Sequence, residues 1–150
     1  ELVCINKNDK KKFEKEWNKI KNKDIAIVNC HGSPTSINGM STKKVSKLKK
    51  INLKLLILLA CNSGLFDKKE TNIGYAFSKK VSGKVFCSDG TVYSKNPLTG
   101  KFESKNDSEW KKYTNRKNNY GWVIYNSNGI VQCNNFKKII NITDVITKLL

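Results

Sequence analysis

The sequence predicts a single α/β domain over residues 1–150, with a mainly parallel sheet and helices on both faces. Strand-like and helix-like segments alternate from residue 2 to residue 90, the order that builds parallel sheets with crossover helices. Two apolar runs, residues 25–30 and 53–60, are continuous rather than alternating, as in strands buried on both faces. A chain of 150 residues is long enough to bury a sizeable core.

Within this alternating region, four apolar runs predict strands. They are residues 2–5, 25–30, 53–60 and 84–88. Three helices are predicted between them: residues 9–21, a segment capped by Ser41 or Thr42, and residues 72–81. The first helix has apolar residues at helical spacing and Asn8 or Asp9 as its cap. Gly83 follows the last of the three as its stop.

The last part of the chain has a different pattern. Residues 91–94 are predicted to extend the sheet or form a hairpin arm, and the polar, lysine-rich residues 96–119 to form a long surface excursion. An Asn-Gly pair at 128–129 separates the apolar residues 121–125 from 130–133 and predicts a C-terminal β-hairpin. A short helix over residues 142–150 closes the chain.

The chain is strongly basic, with a net charge of +17. Arg116 is the single arginine among 29 Lys and Arg residues. Such a charge attracts nucleic acid, an anionic membrane or an acidic partner, but nucleic-acid readers usually rely on arginine forks. A solvated lysine surface therefore explains the charge better than attraction to any of these three partners. The longest apolar run, residues 55–61, is too short to span a membrane.

Five cysteines stand at positions 4, 30, 61, 87 and 133, and none forms a CxxC pair. With one histidine in the chain, a zinc site is not expected, and no cofactor is predicted. Three of the cysteines lie in strand-like runs, where a thiol packs as a small apolar group. We therefore expect reduced thiols and a reducing site of action. Because the chain begins at Glu1 rather than Met, we also expect it to be part of a longer protein.

Polar residues follow three successive predicted strands, as His31-Gly32, Cys61-Asn62-Ser63-Gly64 and Ser88-Asp89-Gly90. Ligands bind at the carboxyl ends of parallel strands. His31 precedes Cys61 by about one βαβ unit, so we expect the two side by side on one sheet edge.

This pairing predicts nucleophilic chemistry. A thiol needs a base near it to attack a carbonyl, and His31 is the one imidazole in the chain. The backbone N–H groups of Gly32 and Cys61 would stabilise the oxyanion. Asp89, with Ser88 and Ser33, would contact the substrate; Asp89 would either bind a basic side chain or help to hold the loops.

Each residue also has a simpler structural interpretation. His31 alone can be a hydrogen-bonded residue at a strand end, Cys61 one more core thiol, and Asp89-Gly90 a tight turn. Their position at three successive strand ends favours catalysis.

The segments at residues 25–32 and 55–64, each an apolar strand followed by His-Gly or Ala-Cys, resemble the clan CD cysteine peptidases. That group includes caspases, gingipains, clostripain, CHAT domains and the self-processing domains of bacterial toxins. Residues 85–92 and 121–123 are also similar to caspase-like domains of bacterial polymorphic toxins. The resemblance implies a caspase-like fold with His31 and Cys61 as the catalytic dyad. The interval between them is shorter than in the larger members.

The resulting prediction is a toxin or effector domain that cleaves protein substrates as a cysteine endopeptidase. It would be secreted or delivered and act in a reducing compartment such as the cytoplasm. An acidic inhibitor or immunity protein would be its partner. Two alternatives are a basic toxin domain that acts on nucleic acid and a catalytically inactive interaction module on the same fold.

Overall fold

The computed structural model describes residues 10–20, 23–96, 98–129, 131–132 and 138–150. The helices are α1 (Lys10–Lys19), α2 (Thr42–Ser46), α3 (Ile73–Ser78), α4 (Ser108–Lys111) and α5 (Ile142–Leu149). The strands of the larger sheet are β1 (Lys23–Asn29), β5 (Leu53–Leu59), β6 (Lys84–Ser88), β9 (Trp122–Asn126) and β10 (Val131–Gln132). The other strands are β2 (Gly32–Ser33), β3 (Ser36–Ile37), β4 (Met40–Ser41), β7 (Thr91–Asn96), β8 (Lys101–Lys105) and β11 (Ile139–Asn141).

The larger sheet has the order β1-β5-β6-β9-β10. The first three strands are parallel neighbours, which confirms the predicted parallel arrangement of the apolar runs. β9 runs antiparallel to β6, and β10 runs antiparallel to β9. The predicted C-terminal hairpin is therefore present, and Gly129 adopts a positive φ of 76° in its turn. The predicted strand at residues 2–5, with Cys4, and also Cys133 lie outside the described residues.

One face of this sheet is covered by α1, α2 and α3. Phe13, Trp17 and Phe77 pack together over the sheet and are almost fully buried. Ser41 caps α2 by accepting a hydrogen bond from the Lys44 N–H, as one of the two predicted caps for this helix. The helical layer follows from apolar residues at helical spacing, since such a stripe must face a core.

The opposite face carries one helix, α5, so helices lie on both faces as predicted, but a second sheet that the sequence did not predict shares this face. A three-stranded antiparallel sheet, β11-β8-β7, covers it together with α5. Residues 96–119, expected to be a surface excursion, contain β8 and α4. Phe102 of β8 and Ile140 of β11 bury their side chains against the larger sheet, so these short strands form a second layer of the core.

Candidate active site

The register of the parallel strands brings His31 and Cys61 to the same edge of the sheet. Asn29 of β1 pairs with Leu59 of β5, and this is the last pair of the ladder. His31 and Cys61 each stand two residues beyond that pair, so they leave the sheet side by side. His31 is exposed and Cys61 is half-buried. The structure thus brings together the two residues that the sequence placed at neighbouring strand ends.

Gly32 allows the two strand-end loops to touch. A Cβ atom at this position would lie 2.8 Å from the Ala60 Cβ and 3.3 Å from the Cys61 backbone nitrogen. Such distances leave no space for a side chain at position 32. The backbones that carry His31 and Cys61 are therefore in direct contact, and the N–H groups of Gly32 and Cys61 belong to facing loops.

The turn after Cys61 is tightly held. Asn62 has a left-handed φ of 57°, and its backbone N–H donates to the Gly90 carbonyl at 2.9 Å. The Gly64 N–H donates to the Ser88 carbonyl at 2.8 Å. Both atoms of the Asn62 side-chain amide are buried without a hydrogen-bond partner among the described residues. These contacts fix Cys61 as the last residue before a sharp turn, which keeps its side chain at the sheet edge.

The Cys61 sulfur lies against β7. The Val92 N–H donates to Sγ at 3.4 Å, and Sγ lies 3.9 Å from the Val92 carbonyl oxygen, its acceptor. Burial raises the pKa of the Cys61 thiol, the Val92 hydrogen bond lowers it, and the charges of Asp107 and Glu109 raise it further. The net effect is a raised pKa, so the resting residue is a neutral thiol. An attack by this sulfur on a carbonyl would need a base to take its proton.

His31 is the imidazole whose backbone lies beside that of Cys61. Its carbonyl accepts a hydrogen bond from the Asn38 N–H at 2.9 Å, which fixes the backbone. Among the described residues, no hydrogen bond holds its exposed ring. A catalytic base and its nucleophile need not be hydrogen-bonded before substrate binds.

Sequence reasoning missed the acidic residues near Cys61. Asp107 caps α4 and accepts hydrogen bonds from the Thr91 hydroxyl at 2.6 Å, the Trp110 N–H at 3.0 Å and the Tyr93 hydroxyl. Burial raises the pKa of Asp107, but these hydrogen bonds outweigh it and lower the pKa overall. The residue therefore carries a negative charge beside the thiol. Its local signal was the residue type itself, since Asp is among the preferred residues at a helix N-cap.

Asp89 has a charge partner within the chain. It is fully buried, and its two carboxylate oxygens accept hydrogen bonds from Arg116, both at 2.7 Å. The backbone N–H groups of Phe66 and Tyr120 also donate to it at 2.7 Å. The sequence led us to expect that a basic side chain of the substrate would pair with Asp89. In the structure, Arg116, the single arginine of the chain, is that charge partner. Arg116 also binds Asp67. The three residues therefore connect the loops that contain positions 67, 89 and 116.

The two serines expected to contact substrate lie in different surroundings. Ser88 is fully buried and shares a 2.6 Å hydrogen bond with the Ser104 hydroxyl. Ser33 is half-buried beside Gly32, and its hydroxyl lies 2.7 Å from that of Ser36. Of the two, only Ser33 is partly exposed, and it directly follows Gly32.

Comparisons with known proteins identified no relative of this chain. No family model, curated protein or solved structure matches the chain. Within the described ranges, no group of three or more His, Cys, Asp or Glu side chains could hold a metal ion. No helix in the described part of the chain has the length and apolar character needed to cross a bilayer.

Proposed function

We propose that this protein is a caspase-like cysteine endopeptidase that uses Cys61 as nucleophile and His31 as general acid–base. The observation that carries the proposal is the register of β1 and β5, which sets the two residues side by side at one sheet edge. Ligands bind at this edge in open parallel sheets. The close packing at Gly32 also supports the proposal, because a side chain at this position would push apart the loops that carry His31 and Cys61.

The proposed reaction has two halves, acylation of Cys61 and hydrolysis of the resulting thioester, and the same groups act in both. As Sγ of Cys61 bonds to the carbonyl carbon of the substrate, its proton passes to His31. The N–H groups of Gly32 and Cys61 hold the oxyanion. His31 then gives the proton to the leaving amine, and the peptide C–N bond breaks to leave a thioester. A water molecule gives a proton to His31 and attacks the thioester; the thiolate leaves and recovers that proton.

The edge of β7 that faces away from β8 supports an extended peptide as substrate. Among the described strands, β7 pairs with β8 alone. Val92 turns its N–H and carbonyl away from β8 and toward the Cys61 sulfur. By the alternation of an antiparallel ladder, Ser94 offers its backbone groups on the same edge. A peptide added along β7 would pass directly over the sulfur, as in β-strand addition.

The role as a toxin or effector domain rests on the resemblance to the caspase-like domains of bacterial toxins. The proposed site of action is a reducing compartment, and the three described cysteines, Cys30, Cys61 and Cys87, are free thiols. The alternative of a nucleic-acid enzyme loses support, because the single arginine is engaged by Asp67 and Asp89.

The test is cleavage of a proteome-derived peptide library by the purified protein, read by mass spectrometry. We expect cleavage by the wild type and by Cys30→Ala, and none by Cys61→Ala or His31→Ala. Cys30 is the matched control, since it is a half-buried thiol one residue from His31. Cleavage that persists in Cys61→Ala would overturn the proposal. Degradation of RNA or DNA by Cys61→Ala would favour the nucleic-acid function instead.

A further inference from the structure

A groove of about 740 Å³ runs between α2 and α3 on the helical face of the larger sheet. Its apolar lining includes Ile51, Val81, Tyr75 and Ala76. The last two are half-buried, so they present apolar surface to whatever enters the groove. The Cys61 sulfur and β7 lie toward the opposite face, so this groove is separate from the candidate active site.

The rim of the groove is basic. Lys43, Lys50, Lys79 and Lys80 line it, and Glu70 is the one acidic residue among the described residues of the lining. Lys43, Lys50 and Lys79 are exposed, and the Lys79 ammonium also donates to the Ser127 carbonyl at 3.1 Å. The groove thus combines an apolar floor with a positive rim, which is the complement of an acidic segment that also carries apolar side chains.

We propose that the α2–α3 groove docks an acidic segment of a partner protein. Its apolar side chains would contact Tyr75 and Ala76, and its carboxylates would pair with the lysines of the rim. Such a partner would associate quickly with a chain of net charge +17, and its binding would weaken as salt is added.

Two contacts argue for a protein partner over a nucleic acid. The Lys79 ammonium lies 4.9 Å from the centre of the Tyr75 ring and covers one of its faces. The ring also meets Tyr125 edge-on, so it is not a free platform for base stacking. The phosphate forks that arginine provides are absent from this groove, because its cations are all lysines.

The test measures binding by fluorescence anisotropy in the Cys61→Ala protein, so that cleavage does not interfere. The probe is a fluorescein-labelled peptide of repeated Glu-Leu-Glu-Glu units. A Glu-Ser-Glu-Glu peptide removes the apolar component, and a labelled single-stranded oligonucleotide represents nucleic acid. We expect the leucine peptide to bind more tightly than the serine peptide, and more tightly than the oligonucleotide.

Matched charge reversals locate the site. Lys43→Glu/Lys50→Glu changes the rim, whereas Lys44→Glu/Lys47→Glu changes exposed lysines of the same segment that do not line the groove. We expect the first pair to weaken leucine-peptide binding about tenfold or more, and the second much less. Ala76→Glu, which puts a carboxylate on the floor, should weaken it as well.

The circular dichroism spectrum of each variant checks that it is folded. Equal loss in both lysine pairs would show attraction by overall charge and overturn the proposal. It would also be overturned if the leucine peptide failed to bind, or if the oligonucleotide bound more tightly and lost affinity in Lys43→Glu/Lys50→Glu. Because the groove and the dyad lie apart, this result does not depend on peptidase activity.

Discussion

Replacing Arg116 with alanine should destabilise the fold more than any other removal of one surface cation. Arg116 donates two hydrogen bonds to Asp89 and is also bound to Asp67. Its side chain is 22% exposed, whereas that of Asp89 is 0% exposed. Without the guanidinium, the Asp89 charge stays buried, and among the described residues the N–H groups of Phe66 and Tyr120 are its remaining donors.

Breaking a buried ion pair by removing one partner costs about 3–5 kcal/mol, because an uncompensated charge remains. The second pair, with Asp67 at 34% exposure, adds about 0–1 kcal/mol, since water can solvate that carboxylate. We therefore expect Arg116→Ala to lower the free energy of unfolding by about 3–5 kcal/mol, a large share of the roughly 5–15 kcal/mol typical of a domain. Arg116→Lys keeps the charge but loses the fork, and should fall between.

The measurement is urea unfolding followed by tryptophan fluorescence. Lys117→Ala is the matched control, because it removes one exposed positive charge from the next position, and it should change the stability by less than about 0.5 kcal/mol. Equal effects of Arg116→Ala and Lys117→Ala would refute the reasoning. A double-mutant cycle with Asp89→Asn isolates the coupling between the two partners.

Three further changes test the site and its charges. Gly32→Ala forces apart the two loops that carry His31 and Cys61. The rate at which a peptide electrophile labels Cys61 should fall about 10²-fold. Urea unfolding should show that the free energy of unfolding is lower by about 1–3 kcal/mol. Asp107→Asn removes a charge that raises the pKa of Cys61. Mass spectrometry should therefore show that iodoacetamide alkylates Cys61 about two- to tenfold faster. Asp144→Asn, at an exposed position, is the control and should leave this rate unchanged. Burial raises the pKa of Asp67, but its hydrogen bonds to Arg116 and Thr114 outweigh it. Because this lowered pKa lies below the unfolded value, its contribution to stability should be lost as the pH falls below about 4, and Asp67→Asn should lose less over that range; an equal loss in both would contradict this.

The parallel core was predictable because its signals are local. Continuous apolar runs define β1, β5 and β6, and chain-order alternation predicts that they are parallel. The interval between His31 and Cys61 equals the offset of the β1–β5 register. Spacing along the chain therefore anticipated their placement at one edge, although it said nothing about the chemistry of the thiol.

The second layer was not predictable, because its signals are weak and its partners distant. β8 has one large apolar residue, Phe102, and it pairs with β11 near the end of the chain. The charge partner of Asp89 is Arg116, which lies later in the chain, in a segment that was expected to be solvent-exposed. The raised pKa of Cys61 depends in part on Asp107, whose approach to the thiol appears only once β7 and α4 are folded.

The most direct test of the dyad is covalent labelling of Cys61 by peptide acyloxymethyl ketones, which react after binding as a substrate would. Tandem mass spectrometry identifies the labelled cysteine, and the rate is compared among the wild type, His31→Ala and Cys30→Ala. We expect labelling at Cys61, a rate at least about 10²-fold lower in His31→Ala, and an unchanged rate in Cys30→Ala. An equal rate at Cys61 with and without His31 would contradict the proposed function.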